Sequence, residues 1–144
     1  MDLIKAQAML ANAELIHSEA TVQAAVADVA AAIRERLADK YPLVLCVMTG
    51  GVVFSGQLLT KLDFPLDFDY LHATRYGPET QGGKISWRSA PWTSVKGRSV
   101  LVVDDILDEG GLTVPDRFVF GFGMDAGGVW RNLPAVYAMK DDDA

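Results

Sequence analysis

The 144-residue chain has one cysteine, two histidines and no apolar run approaching the roughly 18 residues that a membrane helix needs. Each shortage closes a class of function. Cys46 permits no disulfide within the chain, and its place in Leu43-Val44-Leu45-Cys46-Val47-Met48 marks a small buried hydrophobe rather than a nucleophile. His17 and His72 stand alone, in no metal-ligand spacing. The start, Met1-Asp2-Leu3-Ile4-Lys5, has no basic stretch leading into an apolar core, so the expected location is the cytoplasm, with no membrane partner. Basic residues number 13 against 19 acidic ones, a net charge of −6, which argues against a nucleic-acid partner. A phosphorylated small substrate stays possible, because backbone amides and a metal ion hold phosphates without many lysines.

What is present reads as a single α/β domain over residues 1–144, half apolar and 22% charged. From Ser18 to Lys40, apolar residues fall at Val22, Val26, Val29, Ile33 and Leu37, the spacing of an amphipathic helix, which Tyr41-Pro42 ends. Leu43 to Met48 is apolar on both faces, as a buried parallel strand is. Thr49-Gly50-Gly51 then turns into a short helix, Val52 to Leu62. Leu66 to His72 alternates like a strand. Arg75 to Gly83 has three glycines and no apolar period and reads as a mobile loop, with Lys84 to Arg88 as a return strand. Ser99 to Asp104 is a second buried strand, and Phe118 to Phe122 a third, with Phe120 and Phe122 in the core. Trp87 and Trp92 are expected to pack under the loop or at a subunit contact.

The connection after Asp105 is anomalous. Parallel strands need a crossover of about a dozen residues or more, usually helical. Ile106 to Arg117 contains Gly110, Gly111 and Pro115, which leaves no room for a helix. Either an unusual short turn joins the strands or a crossover segment is missing.

The chemistry concentrates in Val100-Leu101-Val102-Val103-Asp104-Asp105-Ile106-Leu107-Asp108-Glu109-Gly110. A buried strand delivers Asp104 and Asp105 to its C-terminal end, where ligands of open α/β sheets bind. Adjacent carboxylates there suit a divalent metal and sugar hydroxyls. Asp108, three residues on, can serve as a general base. Gly110 and Gly111 allow a turn whose amides cradle a phosphate. The plain alternative is a polar loop following a strand.

This stretch resembles the phosphoribosyl-pyrophosphate-binding motif of type I phosphoribosyltransferases, and further motifs in the right order resemble their hypoxanthine-guanine branch. The resemblance implies that Asp104 and Asp105 face the ribose hydroxyls and magnesium. It implies that Asp108 is the catalytic proton acceptor and that the loop at Gly110 binds the 5′-phosphate. Met48-Thr49-Gly50-Gly51 is similar to the pyrophosphate loop, with Thr49, Gly50 and Gly51 binding substrate; alone it reads equally as a strand-to-helix turn. Thr74-Arg75-Tyr76-Gly77 resembles the start of the lid. In Val114 to Asp125 and Trp130-Arg131-Asn132-Leu133, the resemblance implies that Phe118 stacks on the purine and that Val119 meets the base edge through its backbone. It implies further that Asp125 holds magnesium and Arg131 meets pyrophosphate. The implied cofactor is Mg2+, the implied substrates are phosphoribosyl pyrophosphate and a purine base, and the implied assembly is a homo-oligomer.

The chain departs from the family after Gly110. There the family continues into a threonine and a phosphate-cradling helix, then a further strand and a lysine that reads the purine's 6-oxo group. Here Gly110 runs into Gly111-Leu112-Thr113-Val114-Pro115, and no lysine stands between Asp108 and Lys140. The expected fold is α/β: a parallel sheet flanked by helices with a small hood from the chain ends, the crossover helix and strand after Gly110 missing. Two other readings stay open. One is a non-catalytic or weakly binding deletion variant of the same family. The other is a response-regulator receiver domain, which Val102-Val103-Asp104-Asp105 also resembles.

Overall fold

The computed structural model describes residues 1–76, 84–105, 114 and 117–140, with residues 74–76 and 84–86 as backbone only. Helix α1 (Leu3–Asn12) starts at Asp2, whose carboxylate accepts the Lys5 backbone N–H at 2.8 Å. Strand β1 (Glu14–His17) follows. Sequence patterning signals neither element, since α1 buries only Ala6 and leaves Leu3 and Ile4 exposed. Helix α2 (Glu19–Leu37) is capped by Ser18, whose hydroxyl accepts the Thr21 N–H at 3.2 Å. It buries Val22, Val26 and Ala30 along one stripe.

The main sheet runs β4-β3-β2-β5, formed by β2 (Leu43–Val47), β3 (Asp67–Tyr76), β4 (Lys84–Ser89) and β5 (Val100–Val103). β2 is parallel to both β3 and β5, while β3 and β4 form an antiparallel hairpin. β3 extends beyond the expected His72 because β4 pairs with its far end, Thr74 opposite Ser86 and Tyr76 opposite Lys84. Ladder pairing here outweighs the missing apolar period, so Thr74, Arg75 and Tyr76 belong to a strand rather than a loop. The rest of the expected loop, residues 77–83, lies outside the described residues.

Helix α3 (Gly51–Leu59) joins β2 to β3. With α2 it covers one face of the sheet, where Val22, Val26, Ala30, Leu58 and Leu62 pack on Val44 and Val103. Strand register puts Asp69, Leu45 and Val102 on the opposite face. The chain between β4 and β5 crosses that second face. There the Asp69 carboxylate accepts the Tyr70 and Thr93 N–H groups, each at 2.7 Å. Trp92 does not shelter under anything: it is 89% exposed, and Trp87 is exposed too. No helix among the described residues is long and apolar enough to cross a membrane.

A second sheet, β1-β7-β6, joins β1 to β6 (Val119–Phe120) and β7 (Val136–Ala138), all antiparallel. It is the hood expected from the chain ends. The strand expected over 118–122 stops at Phe120, because Gly121 (φ +96°) and Phe122 (φ +51°) turn the chain back. A side chain at Gly121 would come within 2.2 Å of the Ala135 carbonyl oxygen. Phe120 is fully buried and stacks on Tyr137, and Phe122 packs against Phe54 of α3, so both rings serve the core as expected. The architecture is α/β.

The two N–H bonds hold the Asp69 carboxyl below its ordinary pKa, the Thr93 bond contributing most. A depressed folded pKa gives stability that is present above the unfolded value and is lost as pH falls through the folded one. Asp69→Ala is expected to cost roughly 1–3 kcal/mol at neutral pH. Thermal melts of parent and variant should converge in acid.

A candidate active site at the C-terminal ends of β2 and β5

Three chain segments meet where β2 and β5 end, and glycine lets them approach. The turn after β2 contains a cis Met48–Thr49 peptide and runs through Gly50 into α3, whose start no side chain caps. A Cβ on Gly51 would lie 2.7 Å from the Val103 carbonyl oxygen, and one on Gly50 2.1 Å from a carboxylate oxygen of Asp105. On the hood side, a Cβ on Gly123 (φ +105°) would lie 2.2 Å from the Gly50 carbonyl oxygen and 3.3 Å from Asp105 Cβ. Real Cβ atoms do not sit that close to other atoms: Gly51 and Gly123 meet backbone and demand glycine, while a side chain at Gly50 would displace the Asp105 carboxylate.

Asp104 is exposed and its Oδ1 accepts the Asp105 N–H at 2.8 Å. Asp105 is half-buried in the glycine-lined cleft. Burial raises its pKa above the ordinary carboxylate value, the hydrogen bond and negative charge of Asp104 raise it further, and Arg131 opposes the rise. The Arg131 guanidinium donates to the Gly123 carbonyl at 2.6 Å and to Asp125 Oδ1, and stands 3.9 Å from Asp105 Oδ2. The other oxygen of Asp125 accepts the Gly128 N–H at 2.6 Å. One arginine therefore faces two carboxylates from different segments, beside uncapped helix amides, an arrangement suited to a polyanion and its counter-cation.

The structure thus brings together Thr49, Gly50, Gly51, Asp104, Asp105, Asp125 and Arg131. Phe118 and Val119 lie on the hood strand that leads into Gly121–Gly123. Phe118 is exposed, and its carbonyl accepts the Met139 N–H at 2.9 Å. That bond makes Val119, opposite Ala138, a non-hydrogen-bonded pair, so Val119 turns its own N–H and C=O away from β7. Asp108 and Gly110 lie outside the described residues, and Thr74, Arg75 and Tyr76 are placed only as β3 backbone.

The described residues gather no group of three Asp, Glu, His or Cys side chains able to hold a metal, so Asp104, Asp105 and Asp125 do not form a closed protein cage. A magnesium ion asks for less, one or two carboxylates plus substrate phosphates, and the Asp105–Arg131–Asp125 arrangement fits that. A cavity of about 390 Å3 lined by Leu3, Ala6 and residues 128–132 includes Arg131 but neither Asp104 nor Asp105, and its walls are apolar. Sequence patterning missed the contribution of Gly123, because its need for glycine arises from a contact with Gly50 far along the chain.

The phosphoribosyl transferase domain model matches residues 12–112. The chain belongs to that family. Among its relatives, the hypoxanthine-guanine-xanthine phosphoribosyltransferase of Tritrichomonas foetus is 27% identical, with 88% of this chain and 91% of that protein covered. The hypoxanthine-guanine phosphoribosyltransferase of Lactococcus lactis is 29% identical, with 72% and 78% covered. The solved hypoxanthine-guanine phosphoribosyltransferase of Bacillus anthracis superposes with a TM-score of 0.79 at 21% identity, covering 88% of this chain and 98% of that one. The chain therefore has the type I phosphoribosyltransferase fold, and the receiver-domain alternative falls.

The alignment lengths expose a shortage. The Tritrichomonas alignment runs over 167 positions but uses only 88% of 144 residues, about 127, so about 40 positions have no counterpart here. The Lactococcus alignment runs over 142 positions and uses 72%, about 104 residues, leaving about 38. The shortage is nearly constant although the second alignment is shorter, so the unmatched positions lie within the part that both alignments share.

In this phosphoribosyltransferase, a carbon-detected titration of the ligand-free protein should find the Asp105 carboxyl losing its proton above the ordinary carboxylate range. A raised folded pKa gives stability that is complete at low pH and is lost as pH rises through it. Asp105→Asn should therefore flatten the fall in stability with rising pH in that window; an unchanged profile would contradict the burial argument.

Proposed function

We propose that the chain works in purine salvage, transferring the phosphoribosyl group of phosphoribosyl pyrophosphate to hypoxanthine or guanine. The convergence of Gly50-Gly51, Asp104-Asp105 and Arg131 is the observation that carries this reading, and the names of the relatives agree with it. A nitrogen of the purine forms a bond to the ribose C1 as the bond from C1 to the pyrophosphate oxygen breaks. Negative charge then grows on the leaving group, and stabilising it is the largest task of the site. The backbone amides of Gly50 and Gly51 at the start of α3, with the Arg131 guanidinium, meet that charge. Asp104 accepts the ribose hydroxyls, with Asp105 behind it. Asp108 takes the proton that the purine nitrogen loses.

Phe118, exposed on the outer strand of the hood, stacks on the base, and the outward backbone groups of Val119 read its edge. Thr74, Arg75 and Tyr76 lead into the lid, and Gly110 opens the 5′-phosphate loop. Magnesium, brought by the substrate's phosphates and met by Asp105 and Asp125, would supply counter-charge to the pyrophosphate. The same reading includes a cytoplasmic enzyme that assembles with further copies of itself.

One observation favours a second reading, a binding-only member of the family: the short connection between β5 and β6, together with the missing positions. Incubation with hypoxanthine or guanine, phosphoribosyl pyrophosphate and magnesium, followed by chromatography, separates the two. Nucleotide formation that falls by at least roughly 100-fold in Gly50→Ala, whose new Cβ displaces Asp105, fits catalysis through this cleft. Calorimetric binding of phosphoribosyl pyrophosphate without nucleotide fits the binding-only reading. Neither product nor binding rejects both.

A further inference from the structure

Between Asp125 and Arg131, the two charged groups that the hood brings to the cleft, the chain makes one tight excursion. The Ala126 N–H donates to the Val129 carbonyl at 3.0 Å, and the Val129 N–H to the Ala126 carbonyl at 3.3 Å. Gly127 (φ +60°) and Gly128 (φ +88°) form the turn between them. Trp130 then bends the chain with φ +72°, a conformation that a bulky residue rarely adopts and that its surroundings must hold. Beyond the bend, the Arg131 carbonyl accepts the Gly123 N–H and the Leu133 carbonyl accepts the Phe122 N–H, each at 2.9 Å. The bend at Trp130 thus sets the direction from which Arg131 enters the cleft.

The bond that ties the bend down runs to the other end of the chain. The Trp130 indole N–H donates to the Ala6 carbonyl at 2.9 Å. Ala6 is the buried residue of α1, and its small side chain lets the ring approach the helix backbone. Close packing adds little at this contact. The cavity of about 390 Å3 lies between Leu3 and Ala6 of α1 and residues 128–132, so part of the loop faces open space rather than side chains. The indole reaches α1, while the next side chain, Arg131, reaches the Gly123 carbonyl and Asp125 and stands near Asp105. Two neighbouring side chains therefore anchor one stretch of backbone from opposite sides.

We propose that Trp130 is a positioning residue: its bond to α1 fixes the bend and so holds the Arg131 guanidinium between Asp105 and Asp125, in place for the pyrophosphate. Through this bond α1 takes part in holding the substrate. The inference rests on the salvage reading for what Arg131 meets, but not for what holds it.

Trp130→Phe tests it, since this change keeps an aromatic ring and removes the N–H donor. In ligand-free protein carrying isotope-labelled arginine, the Arg131 guanidinium signal is identified by its loss in Arg131→Lys. Its protons should exchange with solvent roughly three- to tenfold faster in Trp130→Phe than in the parent, the factor that one lost hydrogen bond allows. The Arg98 signal, held by Asp67 and the Tyr41 carbonyl, should not change. Ala6→Val, which keeps the indole and crowds its approach, repeats the measurement from the other side and replaces the first variant if circular dichroism shows that it folds poorly. In nucleotide formation the same variants should lose a similar factor in kcat/KM for phosphoribosyl pyrophosphate and keep the KM for the purine, because Phe118 and Val119 lie outside the loop. A hood that is merely loosened would lose both alike. Unchanged Arg131 exchange, exchange that rises equally at Arg98, or equal losses toward the two substrates would each overturn the inference. A parent that forms no nucleotide counts against the salvage reading alone, and the guanidinium measurement then decides this one.

Discussion

The site depends on backbone approaching backbone and carboxylate with no side chain between them. Gly51 lies against the end of β5, Gly50 against the Asp105 carboxylate, and Gly123 of the hood against Gly50. A methyl group at Gly51 or Gly123 would meet backbone that cannot move aside, and one at Gly50 would push the Asp105 carboxylate out of the cleft. The cost is conformational entropy at each glycine. The gain is a cleft in which amides, a raised-pKa carboxylate and a guanidinium face one small volume.

Charge balance inside this cleft follows from the same closeness. Two adjacent carboxylates just beyond β5 repel one another, and burial raises the pKa of Asp105. Arg131 offsets this by lying between Asp105 and Asp125, so that the ligand-free site contains its own counter-cation. A substrate that brings negative phosphates exchanges partners with this arginine rather than entering an uncompensated field.

Much of this was legible in the residues themselves. Leu43 to Met48 and Ser99 to Asp104 are continuous apolar runs, which parallel strands covered by helices produce, and a glycine pair followed the first of them. The acidic pair at the end of the second pointed to the ligand-binding end of the sheet. Other features were not legible for physical reasons. α1 has no fully buried stripe, since only Ala6 is buried and Met9 and Leu10 are half-buried. The outward turn of Val119's backbone is set by a bond between Phe118 and Met139, which local patterning cannot show. β5 is the instructive case: its composition is that of a strand buried on both sides, yet Val102 stands in solvent.

The hood is tied together by contacts between distant parts of the chain: Arg117 bonds Glu14 across 103 residues, and the Trp130 indole bonds the Ala6 carbonyl across 124. Contacts of that separation carry a loop-closure cost, which slows folding when they dominate a fold. During synthesis, β1 emerges early and waits unpaired until β7 leaves the ribosome. The βαβ centre with Gly50 and Asp105 can take shape before then, whereas Asp125 and Arg131, which follow it along the chain, reach it later.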